Sequence, residues 1–96
     1  MRARIDDNQK EIVSALRRIG CSVKSVAAVG EGFGDILVGT RNRQGLRVNY
    51  LIEIKDGSKP PSHRKLTPDE QKFHDEWRGQ IDIVKNIDEA LEVATQ

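Results

Sequence analysis

Apolar positions in the first part of the chain recur at helical spacing. Ile5, Ile12, Leu16 and Ile19 fall on one stripe with Val13 beside it, which predicts a helix over residues 6 to about 19. Asp6 and Asp7 suit its first turn, Arg17 and Arg18 its last, and Gly20 its end. One place on the stripe is polar. Gln9 lies four residues after Ile5 and three before Ile12, whereas Glu11 falls on roughly the opposite side at ~100° per residue. An amide, not the nearby acid, is therefore expected to face inward.

The pattern then changes to strands. "CSVKSVAAV" reads as the first, "DILVGT" as the second and "LRVNYLIEIKD" as the third and longest. Between the first two, "GEGFG" marks a turn or loop, and "RNRQG" reads as an exposed hairpin turn. "GSKPPSHRK" must be a loop, because Pro60 and Pro61 exclude both helix and central strand. Thr67, Pro68 and Glu70 form a helix start with a capping box. That helix is expected to run to about Arg78, with Phe73 and Trp77 one turn apart and Gly79 ending it. "IDIVK" reads as a fourth strand. Asn86 and Glu89 resemble a second capping pair, ahead of a stripe of Ile87, Ala90, Leu91 and Ala94. The order α-β-β-β-α-β-α, hairpins first and a β-α-β crossover last, predicts an α/β fold with a mixed β-sheet flanked by helices, not a doubly wound parallel sheet.

Composition narrows the picture. Ninety-six residues suit one domain, 1–96, with a modest core. Sixteen basic residues face 15 acidic ones, so any nucleic-acid surface must come from local clustering. The single cysteine, Cys21, excludes an intrachain disulfide and a thiolate zinc cage. It reads as a small buried apolar residue. No signal peptide or membrane-length apolar run is read, which makes the cytoplasm the expected compartment and no membrane the expected partner. "GEGFG" is no dinucleotide fingerprint, since a strand follows it, so no nucleotide cofactor is expected.

The third strand carries the chemistry. In "LIEIK", Ile52 and Ile54 share one face, while Leu51, Glu53 and Lys55 share the other. Asp35 opens the preceding strand, which should pair with it. If Asp35 faces the same side as Glu53, two carboxylates meet at one end of the sheet. With a backbone carbonyl and waters they suit Mg²⁺ or Mn²⁺. Lys55 would then sit one pleat away, placed for a phosphate oxygen or for charge developing in phosphodiester attack. Lys59, Arg64 and Lys65 follow in the loop and are candidate phosphate contacts. The plain alternative is a solvated sheet face. By the same plain reading Gln9 is a hydrogen-bonded amide, and His63 and His74 are ordinary surface histidines.

Taken together and in order, these segments resemble the PD-(D/E)XK nuclease superfamily, and more narrowly the VRR-NUC group, a small-domain relative of the Holliday-junction resolvases. "GFGDILVG" stands where that family has its G-x-P-D run, "LIEIK" matches its E-x-K strand, and "LTPDEQKFHDEW" and "GQIDIV" match its later helix and closing strand. The resemblance implies a restriction-endonuclease-like core. It implies Asp35 and Glu53 as metal ligands with the Ile54 carbonyl, Lys55 as catalytic lysine and Gln71 as an active-site residue on the helix side shared with His74 and Arg78, the last a candidate DNA contact. Two positions depart from it. Gly34 replaces the proline, and Gln9 stands where many resolvase relatives carry a glutamate. Gln9 and Gln71 could instead both orient water around one ion.

The resulting expectation is a Mg²⁺- or Mn²⁺-dependent DNA endonuclease acting on branched or structured DNA as a homodimer, in a family frequent in phages and mobile elements. Two alternatives stand beside it: a nuclease-fold DNA-binding module too weak in metal to cut, and an interaction protein whose E-x-K face is only solvated sheet.

Overall fold

The computed structural model describes residues 7–96, so the readings on Ile5 and Asp6 lie outside the described residues. Helix α1 spans Gln9–Arg18, strand β1 Ser22–Ser25, β2 Ile36–Arg41 and β3 Arg47–Ile54. Helix α2 follows at Pro68–Glu76, then β4 at Asp82–Val84 and α3 at Ile87–Ala94. The described residues form an α/β fold with a four-stranded mixed sheet and three α-helices. The strands lie in the order β1-β2-β3-β4. The first three are antiparallel, and β4 joins β3 in parallel through the α2 crossover.

Three boundaries differ from the expectation. Helix α1 starts at Gln9, so Asp7 lies in the turn before it and Glu11 is the acid of its first turn. The first strand stops at Ser25, and Ala27–Val29 turns as a short 3-10 helix. The Val26 N–H is taken by the Asp35 carbonyl (2.9 Å), after which β1 has no rung left on β2. Helix α2 ends at Glu76 because Trp77 is extended (φ −70°, ψ 125°). Its start is as read: the Thr67 hydroxyl accepts from the Glu70 N–H at 3.2 Å, and the Glu70 carboxylate accepts from the Thr67 N–H at 2.8 Å.

The core is one-sided. Ile36, Val38, Ile52, Ile54 and Val84 point from the sheet onto Ile12 and Leu16 of α1 and Ala90, Val93 and Ala94 of α3, with Cys21 buried among them. Each large aliphatic side chain so buried contributes about 1.5–3 kcal/mol. That face therefore carries most of the stability. The opposite face, where Leu51 and Glu53 point, meets α2, a helix with no buried residue.

Two glycines of "GEGFG" fix the approach to β2. A Cβ at Gly32 would fall onto the Asp69 carbonyl and Glu70 Cα, so this loop lies directly against the first turn of α2. Gly34 has φ +120°, and a Cβ there would lie 3.0 Å from Leu51 Cδ1. Proline, locked near φ −65°, cannot take that backbone. The glycine before Asp35 is therefore required by this path of the chain. Phe33 meets Phe73 edge-on at 5.5 Å, and Phe73 stacks on Trp77 at 5.0 Å, fastening the loop to α2. Among the described residues, no helix is long and apolar enough to cross a membrane.

Candidate active site

Three hydrogen bonds to backbone groups hold Asp35. Its N–H donates to the Ile52 carbonyl (2.9 Å), its carbonyl accepts from Val26, and its carboxylate accepts from the Ile54 N–H at 2.7 Å. The last bond ties the start of β2 to the end of β3 and sets the carboxylate beside Glu53. Asp35 is 8% exposed and Glu53 only 2%. A solvated sheet face does not produce such values.

Burial pushes the Glu53 carboxyl up to about 10. Asp35 adds to the rise, as hydrogen-bond partner and as neighbouring charge, and so does Glu70, while Lys55 opposes it. At neutral pH Glu53 therefore holds a proton. Its Oε1 has no hydrogen-bond partner among the described residues, nor has His74 Nε2, 3.8 Å away. Burial holds His74 below its ordinary value, against the pull of the Glu70 and Asp75 charges.

Lys55 continues β3 by one residue, its N–H donating to the Val84 carbonyl at 2.9 Å. Its ammonium meets Glu70 Oε1 at 2.7 Å. Burial would raise Glu70, but the Lys55 ammonium and the Thr67 N–H outweigh it and hold that carboxylate below its ordinary range. One residue thus closes the capping box of α2 and holds the ammonium. From the other side, Asn8 Nδ2 donates to the carbonyls of Lys55 and Lys85, both at 3.1 Å, and clamps β3 to β4.

These groups open into a cavity of about 410 Å³, lined by Asp35, Glu53, Lys55, Glu70 and the loop residues Lys59 and Lys65. His63 lines it from an exposed position, as a surface histidine would, whereas His74 is largely covered. Not every residue singled out from the sequence lies there. Gln71 is exposed and donates to Asp75 Oδ1 at 2.8 Å, outside the cavity. Gln9 is buried as expected, but in a separate pocket with Val13, Val23 and Ile36, and its Oε1 has no partner among the described residues. Arg64 lines another groove, beside α1 and Asn86, and Arg78 is exposed beyond the end of α2. Lys59 is already engaged, 3.1 Å from Asp7.

Glu70, His74 and Asn8 had not been singled out from the sequence as site residues. Glu70 and His74 are four apart, and that spacing puts them on one side of α2. It was the available signal. Gln71 lies ~100° around the helix from Glu70 and points away. Asn8 carried no signal beyond its place before α1.

The donor set fits a hard divalent cation in part. Two carboxylates lie side by side, and one buried carboxylate oxygen has no partner. Among the described residues, no group of three or more His, Cys, Asp and Glu side chains is placed to hold a metal ion. Comparisons with protein-family models, curated proteins and solved structures gave no match.

Proposed function

We propose that this chain is a Mg²⁺- or Mn²⁺-dependent DNA endonuclease with a restriction-endonuclease-like core. The observation that carries the reading is the buried pairing of Asp35 with Glu53, with Lys55 next along the strand, at the mouth of an open cavity. Two carboxylates crowded together with one unpartnered oxygen cost stability in a metal-free protein. A divalent cation replacing the Glu53 proton would remove that cost. Asp35, Glu53 and the Ile54 carbonyl would hold the ion, which would supply Lewis-acid polarisation of a phosphate and an activated water.

The chain's own groups do the rest. Asp35 is fixed by the Ile54 N–H, so its carboxylate needs no reorganisation. Lys55 is placed to donate to a phosphate oxygen once it exchanges Glu70 for substrate. Lys65 stands at the cavity mouth as a phosphate contact. A two-fold homodimer would set two such sites on two strands of a branched substrate.

The test is cleavage of labelled four-way junction, flap, single-stranded and duplex DNA in Mg²⁺, Mn²⁺ and EDTA, with Lys55→Ala in parallel. Metal-dependent cutting lost in the variant supports the nuclease. A second reading draws on Gln9 lying outside the cavity and on the sparse donor set: a nuclease-fold module that binds DNA without cutting it. DNA binding with no cleavage in either metal would identify it.

A further inference from the structure

The register places Ser22, Lys24, Gly39, Arg41, Arg47 and Asn49 on the same side of the sheet as Glu53, with Arg41 and Arg47 at its far end and Lys24 nearer the cavity, in the row of Leu37 and Leu51. Helices α1 and α3 pack on the other side, and α2 meets this side at Glu53 and Lys55. The remainder of this side is left open, with Lys24, Arg41, Arg47 and Asn49 all exposed.

Two features of this open part are unexplained by stability. Arg41 and Arg47 are direct cross-strand partners, and like charges so placed are destabilising. Neither forms an ion pair with another described residue. Arg41 is steered instead by its own turn, donating from Nη1 to the Gly45 carbonyl at 2.9 Å. Arg43, in the same hairpin, differs: its Nε donates to the Thr95 carbonyl at 2.9 Å and closes the end of α3. The second feature is Gly39 in mid-strand. A Cβ there would come within 3.3 Å of Asn49 Oδ1. Its absence leaves a shallow groove of about 370 Å³, with Asn49 at its side and the two arginines at its end.

None of these six residues is acidic, and the acidic strand residue on this side is Glu53. Six residue steps lead from Arg47 to Glu53, a run of about 20 Å. That is the length of about six base pairs of duplex. A second copy of the chain would bring arginines against arginines, so the face suits a polyanion.

We infer that the open part of this side of the sheet, through Lys24, Arg41 and Arg47, is a track for the DNA phosphate backbone leading to the Asp35–Glu53 cavity. This rests on the nuclease reading and says where its substrate lies. The hairpin arginines position DNA and take no part in the reaction.

The test is fluorescence-anisotropy binding of labelled duplex and four-way junction in EDTA, from about 50 to 200 mM salt. Three proteins are compared: the wild type, Arg41→Gln/Arg47→Gln, and Lys10→Gln/Arg18→Gln. The last loses the same charge from exposed positions on α1. Removing a like-charge pair should leave folding intact, which a thermal melt verifies. The expected result is a log K against log salt slope shallower by about 2 in the arginine variant alone. The wild-type advantage over it should then fall about tenfold across that range. Equal slopes for the two double variants, with wild-type binding and cleavage intact, overturn the track and leave the nuclease standing. A wild type with no affinity for either DNA overturns both.

Discussion

The ammonium of Lys55 and the carboxylate of Glu70 meet at 2.7 Å, so the lysine expected to act on phosphate is held by the residue that caps α2. Glu70→Gln should separate the two roles. Glutamine still completes a capping box, but it no longer holds the ammonium by charge. The variant should keep its fold and bind DNA several-fold more tightly in EDTA. Glu70→Ala loses cap and partner together and should cost about 1–3 kcal/mol in urea unfolding.

The raised Glu53 carboxyl sets a pH dependence for the metal-free protein. In the unfolded chain it ionises near its ordinary 4.5, but in the folded protein it keeps its proton to about 10. Its contribution is therefore full below pH 4.5 and is lost progressively as pH rises toward 10. Glu53→Gln should flatten this part of the stability profile and make the metal-free protein more stable at pH 8. Urea titrations between pH 5 and 9 read both effects.

Metal binding should run opposite to proton binding. Mg²⁺ or Mn²⁺ must displace the Glu53 proton, so affinity should rise with pH and each binding event should release a proton. Calorimetry in buffers of different ionisation enthalpy measures that release directly. Asp35→Asn and Glu53→Gln should abolish the heat. Lys55→Ala should bind the ion and still lose about 10²-fold or more of cleavage.

Gly34 provides a test of the backbone. Gly34→Ala forces a side chain into a positive-φ conformation and against Leu51 Cδ1. It should lower stability by about 1–2 kcal/mol. Gly34→Pro, the residue the resemblance expects there, should fail to fold, as judged by circular dichroism.

Gln71→Ala should do nothing. Its amide touches Asp75 at the surface, so stability should stay within about 0.5 kcal/mol of wild type. A large loss of cleavage in this variant would place Gln71 in the site after all.

Strands β2 and β3 were legible because Ile36 and Val38, and Tyr50, Ile52 and Ile54, recur at every second position, and the hairpin and capping box were legible because turn and cap chemistry is local. What could not be read was the orientation of α2. That helix buries no residue, so its apolar pattern does not say which side meets the sheet. An ion pair between Lys55 and Glu70, 15 residues apart, decides it. The same gap explains Gln71, assigned to the site from its place in a motif while Glu70 and His74 occupy the inward side. Gln9 was read correctly as inward, yet inward on α1 means the side of Ile36, across the sheet from Glu53.

The Asn8 clamp bears on the order in which the cavity can be completed as the chain is made. Its bond to the Lys85 carbonyl spans 77 positions, and the strand it steadies, β4, is made after every acidic and basic group of the cavity. A ribosome that has already released Glu53 and Lys55 still holds a chain whose β3 end lacks its parallel neighbour and its fastening. The Lys55 end of β3 is thus fixed in place only once β4 has been made and has met Asn8.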